Sequence, residues 1–418
     1  MRRLLLLLLT CWILAACGPV VPEGASVAEV EREGEVDGEA AGATATAGST
    51  AASPTLEILT DDDRSATLRR LTSSWNTNWE KRLISSDELL SGGPPRDGIP
   101  AIDNPRFSSQ TEAEAWLDGR EPVIALEING DARAYPLQIL TWHEIVNDEV
   151  GGLPVAVTFC PLCNAAVVFE RQRQGQPFEL GVSGLLRKSD MVMYDRTTET
   201  LWQQLDGLAI IGDLAGERLT FLPSFLVSFD DFRQAFPDGV VLSRDTGHNR
   251  RYGQNPYIGY DTIGGADPFL FQGEIDRRLP ATERVAAVTI GDVNMAYPFS
   301  QLVDLGVVHD TVGDREIVVF HLPGTSSALG AILIAEAEDV GATNVFDRYL
   351  NDQKLTFTRQ DGRFIDAETG TTWNIIGQGL AGPLAGEQLN PIIHANHFWF
   401  AWAAFKPDTL IYGTTNDQ

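Results

Sequence analysis

At 418 residues, with 43% hydrophobic content and a formal net charge of −27, the chain has material for two cores and a surface that repels polyanions. Lysine and arginine form no cluster, which excludes a nucleic-acid binder, because phosphate-backbone affinity comes from clustered cations.

The first residues read as a processing signal. Arg2 and Arg3 precede the apolar run Leu4 to Leu14, and Leu14-Ala15-Ala16-Cys17 follows. A basic start, a short apolar core and small residues before a cysteine describe a lipoprotein signal over residues 1–16, with lipid on Cys17. Cys11 leaves with the signal, so the mature domain keeps Cys160 and Cys163. No later apolar run reaches 18 residues, so the expectation is an extracytoplasmic protein tethered by lipid to the cell membrane or outer membrane. Residues 17–55 are rich in Ala, Glu, Gly, Thr and Ser and lack aromatics after the signal, which predicts a disordered tether.

Residues 56–122 read as an N-terminal extension with a helix over about Ala66 to Leu83. A Gly/Pro-rich loop follows, Ser91-Gly92-Gly93-Pro94-Pro95-Arg96-Asp97-Gly98, of the irregular kind that often lies across a site. The chain then repeats landmarks. Ala134-Tyr135-Pro136 recurs as Ala296-Tyr297-Pro298, Asp195 and Trp202 as Asp366 and Trp373, and Leu214-Ala215-Gly216-Glu217 as Leu384-Ala385-Gly386-Glu387. Ordered landmarks at steady offsets predict an internal duplication, with copies over 123–262 and 285–418 joined by a linker over 263–284. The fold class expected is mainly β (α+β), in two tandem β-rich copies. Strands are predicted at Val123–Ile128, Val155–Phe159, Ala165–Phe169, Met191–Tyr194 and Leu208–Ile211, and short helices at Pro136–Val146, Phe229–Phe236 and Trp399–Lys406. The aromatic tract from His397 to Trp402 reads as a core-facing stripe.

Between two apolar, β-branched runs sits Cys160-Pro161-Leu162-Cys163-Asn164. Pro161 fixes one φ and Asn164 tolerates a left-handed backbone, so the cysteines are expected in a tight turn between strands. Two thiols held this close pair as a disulfide or grip one soft metal ion. The second copy has Val318-Val319-Phe320-His321-Leu322-Pro323-Gly324-Thr325 there instead, which places a site in the first copy and a scaffold in the second. His143 lies 17 residues before Cys160 and is the candidate third metal ligand, or the group that lowers a thiol pKa. Its segment reads His143-Glu144-Ile145-Val146-Asn147, without the second histidine of a zinc-protease helix. Asp195-Arg196 reads as a structural pair, since Asp366 repeats the acid.

Taken together, SGGPPRDGIPAIDNP, GDARAYPLQIL, WHEIVND, TFCPLCNAAVVF, GVSGLL and MYDRTTETLW resemble the bacterial domain of unknown function 3179 family, over about Ser86 to Tyr412. The resemblance implies relatives with selenocysteine in the CPLC-type motif, and so redox chemistry at Cys160 and Cys163. Three functions stay open. A thiol oxidoreductase would use Cys160, Cys163 and His143 with a thiol redox partner and no cofactor. A metal protein would hold one copper or zinc ion on the same three residues. A non-enzymatic binding or assembly module would use the cysteines as a structural disulfide.

Overall fold

The computed structural model describes residues 57–265 and 267–414. The signal peptide, Cys17 and the tether lie outside the described residues. Among the described residues no helix is long and apolar enough to cross a membrane. The chain is mainly β, as its alternating and continuously apolar runs require, with helix confined to short connecting pieces.

In the first half, β1 (Pro122–Ile128) and β2 (Asp131–Pro136) form a hairpin that feeds helix α1 (Leu137–His143). Then come β3 (Ile145–Val150), β4 (Leu153–Cys160) and β5 (Ala165–Glu170), an antiparallel meander buried along most of its length. Continuous burial explains why these strands read as unbroken apolar runs rather than alternating ones. A second hairpin, β6 (Leu180–Arg187) with β7 (Asp190–Asp195), pairs onward with Leu201–Gln203.

The second half runs through the same succession. β8 (Arg284–Ile290) and β9 (Val293–Pro298) lead into α2 (Phe299–Leu305), followed by β10 (Val307–Val312), β11 (Arg315–Leu322) and β12 (Ala342–Asp347). The hairpin β13 (Phe357–Gln360) with β14 (Arg363–Asp366) pairs onward with Thr372–Trp373. Phe225–Ser228 borders β1 and His394–Phe398 borders β8, both antiparallel. Each half carries a tyrosine–aspartate bond in the same place, Tyr135 Oη to Asp148 at 2.6 Å and Tyr297 Oη to Asp310 at 2.9 Å.

The described residues form one compact unit, and its two largest apolar clusters run across both halves. One core joins Ile124, Val157 and Phe159 to Val285, Phe398 and Trp399. Another joins Val123, Phe229 and Phe232 to Phe320, Phe346 and Trp373. The aromatic tract is therefore core: Phe398 ends a strand, and Trp399 and Phe400 are buried in the helix Trp399–Phe405.

Two helices are shorter than the sequence suggests. The helix expected over Ala66 to Leu83 stops at Leu71, where Thr72 turns its hydroxyl back onto the Leu68 carbonyl at 2.8 Å. The polar run after it, Thr72-Ser73-Ser74, competes for backbone hydrogen bonds and favours a turn. The helix expected over Pro136–Val146 ends at His143, because Glu144 adopts a left-handed φ of 60° and Ile145 and Val146 enter β3.

Asp195 and Asp366 do matching structural work. Asp195 accepts the buried Trp202 indole N–H at 3.1 Å and the Thr198 hydroxyl at 2.7 Å; Asp366 accepts from Trp373 at 2.9 Å and from Thr369 at 2.8 Å. Removing either carboxylate strands a buried indole donor. Asp195→Ala and Asp366→Ala are each expected to lower stability by about 2–4 kcal/mol in urea unfolding. A loss below about 0.5 kcal/mol at either position contradicts this account.

Candidate functional site

β4 delivers Cys160 at its last position and β5 starts at Ala165, with Cys160 and Ala165 paired across the sheet. Pro161, Leu162, Cys163 and Asn164 close the connection. The Cys163 N–H donates to the Cys160 carbonyl at 3.2 Å, and Asn164 takes a φ of 51°. The turn is thus the one its sequence specifies. It is sealed from the far side, where the Phe398 N–H of the second half donates to the Cys163 carbonyl at 2.8 Å. Both thiols are free and buried, Cys160 at 1% exposure and Cys163 at 0%.

A third group joins them. Cys160, Cys163 and Asp190 offer ligand atoms that all lie within 4.8 Å of one another. Asp190 opens β7 directly after the two-residue turn Lys188-Ser189, whose φ values of 50° and 67° fit a type I′ turn. Asn-Gly or Asp-Gly favours that turn, so Lys-Ser holds it under strain. Tertiary bonds hold it in place: Lys188 Nζ donates to the Ala404 carbonyl at 2.8 Å and the Ser189 hydroxyl to the Phe269 carbonyl at 2.9 Å. One Asp190 oxygen, Oδ2, accepts from the Leu205 N–H at 3.1 Å and from the Gln203 amide. The other, Oδ1, is buried with no hydrogen-bond partner.

His143 stands apart from this cluster. Its Nδ1 lies 2.7 Å from the Pro100 carbonyl and its Nε2 lies 2.7 Å from the Tyr252 hydroxyl. A carbonyl only accepts, so Nδ1 carries the proton and Nε2 accepts from Tyr252. Burial holds the imidazole pKa down at about 4. Both nitrogens are committed to a neutral, structural pairing, and the close group of ligand atoms does not include them. The structure brings the two sequence-predicted cysteines together and supplies Asp190, not His143, as their neighbour.

The electrostatics follow from burial. Desolvation pushes the Cys160 thiol up, with Asp190 and Glu144 adding to the effect against a hydrogen bond from Cys163. It pushes Cys163 well up, with Cys160 and Asp190 adding to the effect. It raises Asp190 to about 7 and, with help from Asp190, Glu144 to about 8. Four acidic groups therefore share one buried region. No Lys, Arg or His figures among the main influences on any of them.

A cleft of about 520 Å³ adjoins the turn, lined by Glu144, Leu162, Met191, Tyr257, Tyr260 and Phe269 among others. The Gly/Pro-rich loop forms part of its wall. The Gly92 N–H donates to the Gly184 carbonyl at 2.8 Å and the Asp97 N–H to the Val182 carbonyl at 2.9 Å. Gly184 has a φ of 76°, and a Cβ there would lie 2.2 Å from the Pro94 carbonyl oxygen, so only glycine lets the loop approach.

Sequence reasoning missed Asp190 as a site residue. The signal was a turn conflict: β6 and β7 are joined by Lys-Ser, where the corresponding hairpin of the second half has Asp361-Gly362. Below about pH 4 the Asp190 carboxyl is protonated in both the folded and unfolded chain, whereas between about pH 4 and 7 only the folded chain keeps the proton. The folded state then binds more protons, so stability falls as pH rises through that window and levels off above it. Asp190→Asn is expected to flatten the decline by up to about 1.4 kcal/mol per pH unit in urea unfolding of the ion-free protein. An unchanged slope would refute the assignment.

No curated protein and no solved structure matches the chain. A protein family does match, described as a protein of unknown function (DUF3179), over residues 96–409. That span takes in the end of the loop from Arg96, the cysteine turn, Asp190 and nearly all of the second half, and the chain belongs to the DUF3179 family.

Proposed function

We propose that Cys160, Cys163 and Asp190 hold one soft metal ion, zinc or copper, in a lipid-anchored extracytoplasmic protein. The observation that carries this reading is Asp190, which offers a carboxylate oxygen within 4.8 Å of both thiol sulfurs and whose buried Oδ1 has no hydrogen-bond partner. A buried carboxylate oxygen without a donor is costly, and a cation removes the cost. The 4.8 Å limit on their separation accommodates the ion, since sulfur and oxygen ligands about 2.3 and 2.1 Å from one tetrahedral centre lie about 3.6–3.8 Å apart. Three protein ligands leave a fourth position for water or another small ligand, the arrangement of catalytic rather than closed structural sites. Thiolates select zinc or copper over magnesium and calcium. Binding displaces the thiol protons, so affinity rises with pH.

A second reading, a dithiol–disulfide couple, is favoured by two free thiols adjacent across one turn. In it Cys160 and Cys163 lose two protons and two electrons to form one S–S bond. A partner disulfide takes up both and leaves as two thiols, with Asp190 as the nearby proton acceptor. Against this reading, neither thiol has the cationic neighbour that makes a reactive thiolate. The matched order of elements and the paired Tyr–Asp and Trp–Asp bonds support reading the two halves as copies of one ancestral unit.

The deciding measurement is metal content with thiol titration on the purified full chain. About one equivalent of zinc or copper is expected, lost in Cys163→Ser and at least tenfold weaker in Asp190→Asn. A metal-free protein whose cysteines cycle as a disulfide with a potential well above about −300 mV would replace the metal reading with the redox one. A metal-free disulfide resistant to reduction would sink both.

A further inference from the structure

The residue that ends α1 is out of place by ordinary backbone rules. Glu144 has φ 60° and ψ −30°, and its N–H donates to the Leu140 carbonyl at 2.7 Å. The residue that ends α2 is Gly306, with φ 70°, ψ −34° and the matching bond to Leu302 at 2.8 Å. The next bonds match too: the Phe159 N–H donates to the Glu144 carbonyl at 2.8 Å, and the His321 N–H to the Gly306 carbonyl at 2.9 Å. The two backbones are equivalent, and only one carries the residue suited to that conformation. A glutamate in a left-handed cap stores strain, and strain of this kind collects where a side chain is needed in one place.

The side chain is needed at the cleft. Glu144 is 7% exposed, lines the cleft beside the cysteine turn, and has no side-chain hydrogen bond or ion pair among the described residues. The remaining lining carries no Lys, Arg or His and is otherwise apolar and aromatic. Tyr257 and Tyr260 present rings, and the Tyr260 hydroxyl is sealed from water with no hydrogen-bond partner. At the rim, Ile258 and Phe269 stand 58% and 59% exposed, more than such side chains need to be. Burial keeps the proton on Glu144 to about pH 8, and a positively charged nitrogen seated among the tyrosine rings, with no competing cation, displaces that proton and pairs with the carboxylate, whereas an anion finds no such partner. A divalent ion on two thiolates and one carboxylate leaves the centre one unit negative, which acts in the same direction. The net charge of −27 does so at longer range.

We propose that the cleft is a binding site for an apolar organic cation, an amine carried on a hydrophobic or aromatic body, and that Glu144 is the group that receives its nitrogen. This site deepens the reading of the cysteine centre, naming the class of molecule placed beside it, and fails separately from it.

Isothermal calorimetry on the purified full chain with 1-naphthylmethylammonium and 1-naphthylacetate, which share a ring system and differ in charge, tests it. The amine is expected to bind at least tenfold more tightly than the anion. Glu144→Gln removes the ionisable carboxyl and Glu144→Gly installs the residue that the second half uses, and each should lose at least tenfold in amine affinity. Relief of the left-handed backbone should leave the Glu144→Gly melting temperature equal to or above that of the parent. Equal binding of the two probes, no binding of either, full amine affinity in the variants, or a lower melting temperature in Glu144→Gly would each overturn the proposal. Metal content measured on the same samples reports on the cysteine centre. Metal retained without amine selectivity removes this site alone, and amine selectivity without metal removes only the metal reading.

Discussion

The site depends on the desolvation of four acidic groups that no basic residue answers. Two thiols and two carboxyls occupy one buried region, and their proton affinities rise together because water is excluded and each makes ionisation of the others harder. The fold must supply the energy to hold them there, and it does so by making the cysteine turn part of the largest apolar core. Cys160 and Cys163 pack in the same cluster as Phe159 and Val157 from their own meander and Phe398 and Trp399 from the second half. Full burial of each such large apolar side chain contributes about 1.5–3 kcal/mol, enough to offset polar groups with incomplete bonding.

The two halves divide the labour. The second half keeps relaxed solutions at its turns: Gly306 in the left-handed cap and Asp361-Gly362 in the hairpin turn. The first half departs from those solutions at Glu144, at Lys188-Ser189 and at Glu199, which stands where the second half has Gly370; the first two departures carry an acid to the cysteine turn or its cleft, and Glu199 pairs with Arg96. Strained backbone survives where surrounding structure over-determines it. Here that support comes from the Ala404 and Phe269 carbonyls, which lie outside the hairpin itself. Part of that support therefore comes from the second half, through Ala404.

His143 shows how a plausible ligand is diverted. Its ring is held between the Pro100 carbonyl and the Tyr252 hydroxyl, and Tyr252 is bonded in turn to Thr246 at 2.5 Å. The imidazole therefore fastens the loop before β1 and the last segment of the first half to the end of α1. α2 stops at the equivalent place with Leu305 before Gly306, so the left-handed cap rather than the histidine sets the end of the helix.

The sequence by itself determined the β-rich class, the repeated landmarks, the cysteine turn and a structural role for the repeated aspartates. Each of these rests on local chemistry: apolar runs, a proline and an asparagine that specify a turn, and an acid seven residues from an indole. Only the tertiary structure decided which groups meet the thiols. Asp190 lies 27 residues beyond Cys163 in the chain. It reaches the thiols through a hairpin whose turn residues do not favour the turn they make, held by carbonyls from distant segments. His143, closer in sequence than Asp190, is drawn off by hydrogen bonds to Pro100 and Tyr252 that no local pattern announces. Sequence spacing measures distance along the chain, whereas burial and pairing across sheets set distance in space, and the second decided the site.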